Sequence, residues 1–149
     1  MTESELIELL KEDLINEYHH MHFYLNASCH ITGLFRQEIG EFLAEEARDE
    51  MKHVEEFTKL IIEISGDTTY VSGNILPEFK PVPILRTVRE ILAYVLKMEE
   101  EVVERYVTRM DQAVELGGVD GRYVEIFLED QILDSKSTAA HVRQLLAQL

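Results

Sequence analysis

Two carboxylate–histidine pairs stand three residues apart in this chain, Glu17/His20 and Glu50/His53. That spacing puts both members of a pair on one face of a helix. Further polar residues, Glu99, Gln131 and Asp134, interrupt runs that are otherwise apolar at helical spacing. Burying one carboxylate without a partner costs several kcal/mol. Glu17, Glu50, Glu99 and Asp134 would bring four negative charges into one layer. Such a layer is tolerable only if some carboxyls hold protons or cations sit among them. Two divalent ions cancel the charge. The donor set is mainly carboxylate oxygen, with one imidazole (His53) and one amide oxygen (Gln131), and it suits iron or manganese better than a thiolate-seeking metal. Glu-x-x-His alone is weak in a Glu-rich chain, and runs such as Glu99-Glu100-Glu101 are usually solvated. The weight lies in the coincidence across four helices at one depth.

Those helices are legible. Thr2 opens a capping box with Glu5. Behind it a stripe of Leu6 or Ile7, Leu10, Leu14, Met21, Tyr24, Ser28 and Ile31 predicts a first helix that fades at Ile31-Thr32-Gly33. A second runs from about Leu34 to Ser65 through Ile39, Leu43, Phe57, Leu60 and Ile64, with Gly66 as its stop. Residues 66–84 hold Gly66, Gly73, Asn74, Pro77, Pro81 and Pro83 without a helical period. Extended, that segment reaches ~60 Å, more than the ~45 Å of a thirty-residue helix. A third helix is expected from about Ile84 to Leu116, through Leu85, Val88, Leu92, Val95, Val102, Tyr106, Met110 and Val114. Gly117-Gly118 ends it, and a fourth starts near an Asp120 N-cap and runs to Leu149 through Val124, Phe127, Leu128, Thr138, Val142 and Leu145. Short loop, long crossover, short loop reads as an all-α four-helix bundle, one domain over residues 1–149.

On these stripes Glu17 falls between Leu14 and Tyr24, and Glu50 and His53 between Leu43 and Phe57. Glu99 falls between Val95 and Val102, and Gln131 and Asp134 between Leu128 and Thr138. The chain carries 14 Lys+Arg against 29 Asp+Glu, a net charge of −15, which repels nucleic-acid phosphates and anionic lipid and attracts cations. No apolar run approaches a membrane span and no leader pattern opens the chain, so neither membrane nor nucleic acid is an expected partner. A single cysteine, Cys29, makes no internal disulfide. A cytoplasmic protein is expected.

The sequence resembles the ferritin and bacterioferritin family over nearly its whole length. The resemblance rests on Glu17 with Tyr24 seven residues on, on Glu50-Met51-Lys52-His53 within EEARDEMKH (Glu45 to His53), on Lys97-Met98-Glu99, on Gln131-x-x-Asp134, and on the long crossover. It implies a ferritin-like fold and a ferroxidase centre with two irons per subunit. Glu17 and His53 would hold the first iron, Glu50 would bridge both, and Glu99 would hold the second, with Gln131 and Asp134 completing its surroundings. Tyr24 would hydrogen-bond a ligand or supply an electron; it reads equally as an aromatic of the core. Dioxygen or peroxide would be the oxidant, and storage would require a homo-oligomeric shell.

The fourth helix departs from bacterioferritins, which carry Glu-x-x-His where this chain has Gln131 and Asp134. A neutral amide binds iron more weakly than a carboxylate, so the second iron is expected to be the looser one, as suits a substrate in passage. Met51 stands at the haem-ligating position of bacterioferritins, although haem-free relatives share it. The chain as given reaches Leu149 with no short fifth helix, which leaves the size of a cage open. Glu46, Asp49 and Asp130 are candidates for an outer metal cluster but read first as solvent-facing charges. His19, His20, His22 and His30 read as surface or inter-subunit residues, with His20 set apart by its place one turn from Glu17. Cys29 reads as a buried small hydrophobe. Two other implied functions are a di-iron oxidase or peroxidase acting on another substrate, and a Dps-like miniature ferritin of twelve subunits.

Overall fold

The computed structural model describes residues 1–66 and 80–149. Among them are four helices and no sheet: α1 (Glu3–His30), α2 (Arg36–Ser65), α3 (Val88–Leu116) and α4 (Gly118–Ala147). The crossover expected over 66–84 lies outside the described residues for 67–79, while residues 80–86 carry no regular structure. The described chain divides into two compact units, Thr2–Leu85 and Met1 with Arg86–Leu149.

In the first unit α1 packs on α2. The Thr2 side chain accepts from the Glu5 N–H, and the Glu5 carboxylate accepts from the Thr2 N–H in return. Two of the four orphan donors of the first turn are thereby satisfied. Leu6, Leu10, Leu14, Tyr24 and Ala27 are buried along α1, and Ile39, Leu43, Phe57, Leu60 and Ile61 along α2. Each fully buried leucine is worth about 1.5–3 kcal/mol. Gly66, at φ 70°, ends α2 in the left-handed conformation, its N–H reaching the Ile62 carbonyl at 2.9 Å. A ring nitrogen of His30 lies 2.8 Å from the Leu85 carbonyl oxygen, which ties the end of α1 to the segment ahead of α3.

In the second unit α3 packs on α4. A capping box of Thr87 and Glu90 starts α3. The chain then reverses through one linking residue, Gly117, at φ 70° and ψ −164°, a conformation that favours glycine. The reversal brings the start of α4 close to the end of α3: a Cβ at Gly121 would lie 2.5 Å from the Ala113 carbonyl oxygen. The Met1 amino group meets Glu115 at 3.0 Å, and Arg143 meets Glu100 at 3.2 Å.

Several sequence expectations shift. Helix α3 begins at Val88 rather than Ile84, because Thr-x-x-Glu at 87–90 supplies the cap while Pro81 and Pro83 hold their predecessors extended. Helix α4 begins at Gly118, so Asp120 sits in the first turn, where its charge complements the helix dipole, instead of capping. Helix α2 begins at Arg36. Beyond Tyr106 the buried line of α3 runs through Arg109 and Ala113, and Val114 is exposed. The buried residues keep alternating steps of three and four, Val102 to Tyr106 to Arg109 to Ala113, where the expected stripe took four at each step. Cys29 is exposed, contrary to the expected burial.

Candidate metal centre

Glu17 lies on the buried face of α1, between Leu14 and Tyr24, and is 2% exposed. On α2, Glu50 and His53 are both buried, one turn apart. The pairing of the two helices brings these three together: His53 Nδ1 stands 3.3 Å from Glu50 Oε2 and 3.4 Å from Glu17 Oε2. Each of the three offers one ligand atom within 4.8 Å of the others.

The electrostatics follow from two buried acids side by side. Burial pushes the Glu17 carboxyl up, but side-chain hydrogen bonds with Glu50 and His53, together with the positive fields of His20 and His53, outweigh it and hold Glu17 at about 2. Burial pushes Glu50 well above 4.5, and the facing Glu17 charge pushes it further, against the pull of His53. One proton thus serves two carboxyls, residing on Glu50 and facing the ionised Glu17. A divalent cation delivers more positive charge to the same place. Two carboxylates and an imidazole form a mixed oxygen–nitrogen donor set that iron or manganese accepts.

The other sequence candidates fall as follows. Tyr24 is fully buried on α1, its ring edge-on to Phe23 with centroids 6.2 Å apart. Glu99 is 2% exposed near the middle of α3, and Gln131 is 3% exposed near the middle of α4. Asp134 is exposed, which corrects the inward position expected of it; the buried residue one turn after Gln131 is Ser135. A step of three and a step of four both suit a helical stripe, and α4 takes the step of four. Glu46 and Asp49 are half-buried, with Asp49 3.7 Å from the Lys52 ammonium, and Asp130 is exposed. The Met51 side chain is exposed beside Glu50. Of the clustered histidines, His20 alone is buried. Sequence reasoning missed the buried charges Lys11, Asp13 and Arg109. Lys11 pairs with Glu8 and Arg109 donates to Gln112 at 2.6 Å, and no periodic signal separates such residues from solvated ones.

Helices of this length and order, with buried acids and a histidine at mid-helix, define a ferritin-like protein. The profile of the ferritin-like domain family matches residues 7–149, and the chain belongs to that family. It is similar to a ferritin-like, diiron-carboxylate protein of Bacillus anthracis str. Ames, at 29% identity over 97% of this chain and 96% of that one, with a TM-score of 0.77. Two further structures show the fold alone. Rhodobacter capsulatus bacterioferritin matches at 19% identity over 97% and 85% of the two chains, with a TM-score of 0.79. The dodecameric thioferritin of Bacteroides fragilis, a bacterioferritin-related protein, matches at 14% identity over 99% and 88%, with a TM-score of 0.80. No curated protein matches the sequence. The fold class is therefore the all-α, ferritin-like four-helix bundle expected from the sequence. No helix among the described residues is long and apolar enough to cross a membrane.

Proposed function

We propose that this chain is a ferroxidase of an iron-storing or iron-detoxifying shell: it binds Fe(II) in pairs and oxidises it to Fe(III), with dioxygen or peroxide as electron acceptor. The observation that carries the reading is the convergence of Glu17, Glu50 and His53, all buried, with ligand atoms within 4.8 Å of one another. Membership of the ferritin-like family supports it, as does the similarity to a protein described as diiron-carboxylate. In this reading Glu17 and His53 hold the first iron, and Glu50 gives up its proton and bridges to the second. Glu99 and Gln131 are assigned to the second iron from the family resemblance and from their burial near mid-helix. Iron supplies the redox chemistry, one electron per ion. The protein fixes spacing, excludes bulk water from the acids, and offers one neutral amide, so that the ferric product leaves. Tyr24, buried on the same helix as Glu17, is the proposed hydrogen-bond or electron donor. A chain of 149 residues encloses no mineral alone, so storage needs a homo-oligomer. The acidic surface draws cations, and a cytoplasmic site of action suits the single cysteine.

The test is an anaerobic Fe(II) titration followed by exposure to air, with sizing chromatography alongside. Saturation near about two irons per chain, and rapid oxidation abolished in Glu50→Ala, is the expected result. Zero or one iron per chain refutes the centre. A monomer in sizing chromatography refutes storage.

A further inference from the structure

The stretch His19-His20-Met21-His22 has no part in the function proposed above. Of its three histidines only His20 is buried, at 6% exposure; His19 and His22 are half-buried. His20 follows Glu17 by one turn of α1, and one of its ring nitrogens comes within 4.8 Å of a Glu50 carboxylate oxygen. Glu50 therefore has two imidazoles at ligand distance of its carboxylate, His53 on its own helix and His20 on α1. Asn16 Nδ2 lies 3.4 Å from His20 Nε2. An amide presents either its NH2 or its oxygen to such a nitrogen. With the amide turned over, its oxygen would accept from Nε2–H and leave the lone pair of Nδ1 for a cation. A hydrogen bond of this kind, on the ring nitrogen that does not bind metal, is what orients ligating imidazoles.

We infer that His20 is a metal ligand, supplying an imidazole nitrogen from α1 to the second ion held by Glu50. This rests on the bridging role proposed for Glu50. Each ion then has one nitrogen donor, His53 for the first and His20 for the second. The second position is held by more than a carboxylate and a neutral amide, yet no fourth-helix imidazole is required. A histidine buried only to neutralise Glu17 and Glu50 would leave no mark on the metal itself, and that difference is measurable.

Anaerobic Co(II) titration of the whole chain, read by proton NMR in water, makes the distinction. High-spin Co(II) moves the exchangeable ring N–H of a coordinated imidazole far outside the ordinary range. Saturated wild-type protein is expected to show two such protons, from His53 and His20, whereas His20→Gln shows one. The variant should also bind its second Co(II) at least about tenfold more weakly, with helicity by circular dichroism unchanged. One shifted N–H in the wild-type protein overturns the inference, and this reading needs no variant to fold. So does a His20→Gln protein that keeps both ions at wild-type affinity. Wild-type protein that takes up no Co(II) sinks the metal centre and this inference together; two bound ions with a single shifted imidazole sink the role of His20 alone.

Discussion

In Glu50→Gln the side chain keeps its length and still donates a hydrogen bond to Glu17 through its NH2, but it has no proton to lose. In wild-type protein held in chelator, burial and the facing Glu17 carboxylate push Glu50 well above 4.5. Between pH 4.5 and that raised value the folded chain binds a proton that the unfolded chain has released. The stability from this group is complete below pH 4.5 and is lost as pH rises through the folded value. The slope is about 1.4 kcal/mol per pH unit, or about 4 °C in Tm for a chain of this size. Glu17 works in the opposite sense: held at about 2, it contributes stability above pH 4.5 that is lost on acidification toward pH 2. The assay is thermal unfolding by circular dichroism with chelator present, from about pH 5 to about pH 8, comparing the two proteins. The variant's Tm should exceed the wild type's by a margin that grows by about 4 °C per unit until Glu50 ionises. Added divalent metal should narrow that margin. At a hundredfold excess over Kd it stabilises the wild-type protein by about 2.7 kcal/mol and the variant hardly at all. Parallel curves in chelator would refute the shared proton, and equal stabilisation by metal would refute Glu50 as a ligand.

Two further predictions concern the scaffold. Gly121→Ala should destabilise the chain by about 1 kcal/mol or more, because the added Cβ meets the Ala113 carbonyl at 2.5 Å and overpacking costs about 1–3 kcal/mol, more than the helix propensity gained; a urea midpoint equal to or above wild type would count against the close approach. Thr87→Ala should cost about 1 kcal/mol by removing the acceptor of the Glu90 N–H, while Thr87→Asp should restore most of it; if both variants unfold at the wild-type midpoint, the cap is not what starts α3.

Local signals carry a long way here. Thr2-x-x-Glu5, the apolar stripes, and the glycines at 66 and 117 state where helices run and end through contacts within a few residues, and such contacts are written in consecutive sequence. The cap at Thr87-x-x-Glu90 is equally local. The polar candidates are another matter. A step of one residue turns a helix by about 100°, so a three-residue step to Asp134 and a four-residue step to Ser135 fit one helical stripe equally well. Only packing, which left Asp134 exposed and Ser135 buried, separates them. Likewise Glu17 and His53 are distant in the chain, and no periodicity says that their side chains end 3.4 Å apart. That distance depends on the axial offset and rotation of α1 against α2, which the fit of the side chains buried between them sets. The same offset chose His20 among its neighbours and placed it beside Glu50. Consecutive residues state the helices and the kinds of donor they carry. Tertiary packing decided which donors meet, because convergence is a relation between helices, whereas periodicity is a property of one.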